Sequence, residues 1–168
     1  MESNKKYDVI VIGMGPSSIF CAYELIQNNK DLKVALIDKG HKAETRMCPM
    51  KVNGGKCVNC KVCQILSGYG GAGTFSDGKL NFIPRLGKSD LTKYMSESEA
   101  YKLIDETENI FNKFKMDAEV YPSNMDEANE IKKKVAIAGS KLLLIKQKHL
   151  GSDHLPEYIQ GICDYLEK

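Results

Sequence analysis

Two groups of residues in this 168-residue chain have the types and spacing to do chemistry. The first runs from Tyr7 to Asp38. Val9 to Ile12 are a mostly β-branched run without alternation, which predicts a central parallel strand covered on both faces. The run enters Gly13-Met14-Gly15-Pro16-Ser17-Ser18. Gly13 permits a tight turn, and Gly15 lets the backbone approach a pyrophosphate resting on the free N–H groups and positive end of a helix. Pro16 suits the first helical turn because its missing donor has no partner there. Ser18 stands where a third glycine is usual and where close helix-to-strand packing needs a small residue. Ile19, Phe20, Ala22, Tyr23 and Ile26 continue at helical spacing, and Leu32 to Ile37 form a second strand ending at Asp38. Asp38 falls where an acid that binds the adenosine ribose is expected. Its charge favours a free ribose diol over a 2′-phosphate, an argument softened by Lys39. Together these residues predict a dinucleotide site, against the blander alternative of a ligand-free βαβ turn.

The second group is Cys48, Cys57, Cys60 and Cys63, spaced C-x8-C-x2-C-x2-C with Pro49 after the first. Two residues between successive cysteines let one loop aim three thiolates at a 4Fe-4S cluster, as in ferredoxins, although there Cys-Pro comes last. The same four thiolates suit a tetrahedral zinc. An unmetallated redox pair with a low-pKa thiolate is the third reading, and thiols without any role the fourth. Cys21 and Cys163 fall in helical stripes and are expected to be buried bystanders.

Composition bounds the partners. The 24 basic and 22 acidic residues leave a net charge of +2, scattered along the chain, which excludes an electrostatic nucleic-acid binder. Lys132, Lys133 and Lys134 read as a solvated helix face. No apolar run approaches the roughly 20 residues needed to cross a bilayer, and the polar start Met1 to Lys6 lacks a signal-peptide core. The expectation is a cytoplasmic protein without membrane contact, in which six cysteines are not a disulfide framework.

Several elements must position these groups. From Gly40 to Gly87 the chain is rich in glycine and cysteine with no sustained period, and such long irregular stretches are usually functional. Ser96 to Glu99 has capping-box form, and Ala100, Leu103, Ile104, Thr107, Ile110, Phe111 and Phe114 trace one helix face. A further helix is predicted over Met125 to Ala138, a strand over Leu142 to Lys148 and a last helix over Asp153 to Lys168. Its stripe of Leu155, Tyr158, Ile159, Ile162, Cys163 and Leu166 runs on uncapped, which is expected of a truncated chain. His41, His149 and His154 have no partner at ligand spacing, and Arg46 and Arg85 read as exposed loop arginines.

Gly68-Tyr69-Gly70-Gly71-Ala72-Gly73-Thr74-Phe75-Ser76-Asp77-Gly78-Lys79-Leu80 forms a second glycine loop. With the N-terminal fingerprint it resembles the glutathione-reductase-type FAD domain, in which such a loop lies over the flavin side. With Cys48-Pro49 and the cysteine triple, the chain as a whole resembles the N-terminal part of the bacterial FAD-dependent, NAD(FAD)-utilising dehydrogenases. The resemblance implies an α/β fold: the Rossmann-like parallel sheet of an FAD-binding domain with a cysteine- and glycine-rich excursion and a helical insertion. Residues 1–90 would be the FAD-binding segment, 91–139 the helical insertion, and 140–168 a strand and helix returning toward it. It implies pyrophosphate contacts at Gly13, Gly15, Pro16, Ser17 and Ser18, and adenosine contacts at Asp38 and Lys39. Gly71, Ala72, Gly73 and Ser76 would touch the flavin half. NAD(P)H as electron donor, a small-molecule substrate or acceptor, and a complementing C-terminal chain are further expectations.

Gly54-Gly55-Lys56-Cys57-Val58-Asn59 also resembles the opening of the redox motif of flavoprotein disulfide reductases, which implies Cys57 acting with Cys60 or Cys63. In those enzymes the second cysteine follows after four residues, where this chain has Val62. A non-enzymatic cofactor-binding fragment is the remaining alternative.

Overall fold

The computed structural model describes residues 6–168, so the polar start lies almost wholly outside the described part. Among the described residues the fold is mixed α/β with five helices and three small sheets. It divides into two compact units, one made of the residues up to Gly78 together with Ser152–Lys168, the other of Lys79–Gly151.

The first unit opens on strand β1 (Val9–Ile12), helix α1 (Pro16–Asn28) and strand β2 (Val34–Ile37). The strands pair in parallel with Val9 opposite Val34 and Ile12 opposite Ile37. The predicted strand–helix–strand unit is therefore present. α1 buries Ile19, Ala22 and Tyr23. The sheet departs from the expectation of a strand covered on both faces. Among the described residues β1 pairs with β2 alone, and side chains of a strand point alternately to opposite faces. Ile10, Ile12 and Ile37 share the face away from α1 and are 59%, 85% and 52% exposed. No helix lies across them because α5 (Leu155–Leu166) packs beside α1 instead, with Tyr165 next to Tyr23 and its hydroxyl accepting from Gln27 Nε2 at 2.9 Å.

α5 buries Leu155, Ile162 and Cys163 of its predicted stripe. Burial, with Glu167 and Asp164 nearby, pushes the Cys163 thiol up to about 12, so it is an inert core group. Cys21, expected to be buried, is exposed, because it sits on the outer side of α1.

Between β2 and Gly78 the chain makes short pieces only: a 3-10 turn at Ala43–Thr45, helix α2 (Pro49–Asn53) and a 3-10 turn at Gly71–Phe75.

In the second unit, strands β3 (Lys79–Asn81), β6 (Val120–Tyr121) and β7 (Gln147–His149) form an antiparallel sheet in the order β3-β7-β6. Strands β4 (Arg85–Leu86) and β5 (Ser89–Asp90) form a separate hairpin. Helix α3 (Glu97–Lys113) starts at the predicted capping box of Ser96 and Glu99, and α4 (Met125–Ile137) is capped by Asn124. The strand expected over Leu142 to Lys148 is shorter and later, because only Gln147–His149 pairs with β3, with Gln147 and Lys148 also paired to β6. Glu108 interrupts the expected apolar face of α3. It is buried and paired with Lys146, and with Lys148 at 3.1 Å; Lys148 also donates to Asn112 at 2.7 Å. Burial alone would raise the Glu108 carboxyl, but the two ammonium groups outweigh it and hold it low. Among the described residues no helix is long and apolar enough to cross a membrane.

Candidate dinucleotide site

The two glycine loops meet in the first unit. Gly13 turns at φ 95°, a left-handed conformation that favours glycine, and its N–H donates to Ile37 O at 2.7 Å. Gly15 caps α1 without any side-chain hydrogen bond, and Ser18 and Ile19 N–H both turn back to its carbonyl at 3.1 Å. Ser18 fits the place of a third glycine: its Oγ would lie 3.8 Å from a Cβ at Gly13, an ordinary contact. Gly70 N–H donates to Met14 O at 2.8 Å, and a Cβ on Gly71 would stand 3.2 Å from Gly15 Cα. A Cβ on Gly15 itself would meet nothing within 4 Å. The backbone over the helix N-terminus is therefore open to a ligand while its flank rests on the second loop.

Asp38 joins the two loops. Its Oδ1 accepts from Gly40 N–H at 2.7 Å and Gly68 N–H at 2.8 Å, and its Oδ2 from Met14 N–H at 3.0 Å. Burial would raise this carboxyl; the three backbone donors and the charge of Arg46 outweigh it and hold it below its ordinary value. A carboxylate has about four acceptor positions. Three are spent on backbone, leaving one on Oδ2. Gly40 and Gly68 must themselves be bare, since a Cβ on Gly40 would stand 2.4 Å from Gly68 N and one on Gly68 2.4 Å from His41 O.

Arg46 corrects the expectation of an exposed loop arginine, for it is 4% exposed. Nε donates to Gln64 O at 2.9 Å and Nη2 to Ile65 O at 2.7 Å. Nη1 reaches Tyr69 O at 2.7 Å, Gly71 O at 2.8 Å and Thr74 Oγ1 at 3.1 Å. The guanidinium also lies 4.7 Å from the Phe75 ring centroid. Its planar fork binds carbonyls that the irregular glycine loop cannot pair within itself. Thr74, equally missed by sequence reasoning, is buried and donates to Tyr69 O at 2.8 Å. The only clue to either residue was a carbonyl-rich segment lacking secondary structure.

The other sequence-predicted residues are placed as follows. Pro16, Ser17, Lys39, Ala72, Gly73 and Ser76 are exposed and available to a ligand. Gly71 is brought against Gly15. His41, His149 and His154 are exposed, as expected of surface residues. Arg85 is also exposed, donating to Thr92 Oγ1 at 2.9 Å. Cys57 and Cys60 are exposed and Cys48 and Cys63 half-buried, all four as free thiols. Among the described residues no three His, Cys, Asp or Glu side chains are gathered as a ligand group.

Comparison with protein-family models, with curated proteins and with solved structures gives no match to any of the three.

Proposed function

We propose that the first unit binds FAD by its pyrophosphate at the N-terminus of α1, and that the chain is part of an FAD-dependent oxidoreductase. The observation that carries the reading is the open, uncapped N-terminus of α1 beside the second glycine loop, with Gly15 facing empty space. Helix N-termini of this kind attract phosphate through their unpaired N–H groups and dipole. The resemblance of the two glycine loops to flavoprotein dehydrogenases selects FAD among dinucleotides.

Gly15, Ser17 and Ser18 would hold the pyrophosphate. Asp38 contributes one acceptor position on Oδ2, enough for one ribose hydroxyl, while its other bonds keep the loops in place. Bound flavin would supply the acceptor for a hydride or electrons, the protein supplying position and electrostatics. A small-molecule substrate or acceptor, with NAD(P)H as donor, completes the reading.

Gly15→Val tests it directly. Gly15 has φ −73° and open space around it, so the side chain fits the fold yet fills the cradle. Titrated with FAD or ADP, the wild-type chain is expected to bind one equivalent, and the variant roughly tenfold or more weakly, about 1.4 kcal/mol. Equal affinity in the two proteins, or no binding of either ligand by the wild type, overturns the proposal.

A further inference from the structure

The cysteine loop is not used by the dinucleotide site, and its surroundings are chemically one-sided. Between Glu44 and Asp77 the chain carries no carboxylate, while Arg46, Lys51, Lys56 and Lys61 are spread among the cysteines. Residues 51–61 are all exposed, including Val58 at 63%. They bury no apolar surface that would offset the entropy of fixing them. Free cysteine is ordinarily among the most buried residue types, so two exposed cysteines in one such segment call for a chemical reason.

The base of the loop is fixed, and its exposed tip begins at two glycines. Arg46 stitches its own segment, which reaches Cys48 two residues on, to the carbonyls of Gln64 and Ile65, which directly follow Cys63. Cys48 caps α2, and Cys63 O accepts from Leu66 and Ser67 N–H at 3.2 and 2.9 Å. The tip is joined to α2 through Gly54 and Gly55, at φ 73° and 89°, where a Cβ would meet nothing within 4 Å. Asn59, at φ 48°, turns the chain between Cys57 and Cys60, and the Cys57 thiol donates to its Oδ1 at 3.7 Å.

We propose that Cys48, Cys57, Cys60 and Cys63, which are not gathered as a ligand group in the metal-free chain, form a four-thiolate metal centre when a metal draws the exposed Cys57 and Cys60 onto the base holding Cys48 and Cys63. On binding, four thiols release four protons to solvent. A divalent ion with four thiolates carries a charge of −2, as does a doubly charged 4Fe-4S core with four thiolates. Lys51, Lys56 and Lys61 offset the charge of that anionic centre, and metal binding supplies the free energy that holds the tip against the base. A zinc-type ion and an iron–sulfur cluster are two sources of the same thiolate chemistry. The proposal is independent of flavin binding.

The test uses the reduced 168-residue chain without flavin, under anaerobic conditions. One portion is titrated with cobalt(II) as a spectroscopic substitute for zinc, another reconstituted with equal parts of ferrous and ferric iron and with sulfide, which together give the doubly charged core without a further oxidant. Retained metal is counted after gel filtration, and cysteine alkylation is mapped by mass spectrometry. The expected result is one centre per chain protecting all four cysteines, lost in Cys48→Ser and in Cys60→Ser and kept in Cys21→Ser. One cobalt with tetrahedral thiolate absorption identifies the single-ion form; four irons with four sulfides identify the cluster. Because Cys60 and Cys21 are exposed, their serine variants retain the fold, which thermal melting of the metal-free chain verifies. Protection confined to Cys57 and Cys60, indifference to Cys48→Ser, or loss of both metal forms on gel filtration overturns the proposal.

Discussion

Residues 54–61 and residues 64–76 lie close together in the chain, are both glycine-bearing and without a strand or an α-helix, and are held in opposite ways. The later segment wraps a buried guanidinium: Arg46 takes the carbonyls of Gln64, Ile65, Tyr69 and Gly71, and Asp38 takes the N–H of Gly68. The earlier one has neither a buried cation nor a covering element, and every residue of it faces water. An irregular segment is thus fixed by whatever satisfies its backbone, and glycine content alone does not reveal whether that partner exists.

The strongest way to break this contrast is Arg46→Ala. It strands several part-buried carbonyls at once, with an expected loss of about 3–5 kcal/mol in chemical denaturation. Arg46→Lys keeps the charge and loses the fork, so it is expected to recover only part of this. If Arg46→Ala costs no more than a surface substitution, the guanidinium is not what holds residues 64–76.

A smaller effect separates crowded from open glycines. Gly40→Ala drives a Cβ to within 2.4 Å of Gly68 N and is expected to cost about 1–3 kcal/mol. Gly73→Ala meets nothing within 4 Å and needs no left-handed φ, so its effect is expected within about 0.5 kcal/mol. Similar melting of the two variants would remove the distinction.

A modest loss is expected for Asp38→Asn, about 1–2 kcal/mol at neutral pH from lost charge-assisted bonds to backbone. Asp38 is held below its ordinary value in the folded chain. Its contribution is therefore fully present above the unfolded carboxyl value near ~3.9 and lost as pH falls through the folded value. Wild-type stability should drop more steeply than that of Asp38→Asn in this acidic window. Parallel pH profiles would show that the carboxylate does not weld the loops.

Much of the fold was legible where local rules decide it. The strand–turn–helix–strand from Val9 to Ile37 followed from β-branched residues, glycine and helical spacing, and the starts of α3 and α4 from Ser96 with Glu99 and from the onset at Met125. What stayed hidden depends on partners distant in sequence. Arg46 is buried because carbonyls 18 to 25 residues away converge on it. Glu108 is tolerated inside only because Lys146 and Lys148 arrive from another element. The open face of β1 and β2 was equally invisible, since a run of Val and Ile reads the same whether a second layer covers it or not. At the candidate site, the contact between Gly15 and Gly71 and that of Asp38 with the Gly13-Met14-Gly15 turn join residues that the pattern had singled out. That Asp38 spends most of its acceptor capacity on Met14, Gly40 and Gly68 could not be read from the pattern, because no local rule specifies which backbone donors a tertiary fold turns inward.

The position of α5 has a bearing on how the chain is made. Ile159 stands against Gly70, where a glycine Cβ would approach it to 2.7 Å, and Tyr69 donates its hydroxyl to Glu167 at 3.1 Å. The second glycine loop thus receives its last support from residues synthesised some ninety positions later. During vectorial synthesis the whole Lys79–Gly151 unit emerges before that support exists, and N-terminal parts generally fold first. Here the contacts of Gly70 with Ile159 and of Tyr69 with Glu167 can form only when the final helix has been delivered, after the strands and helices of the later unit are already present.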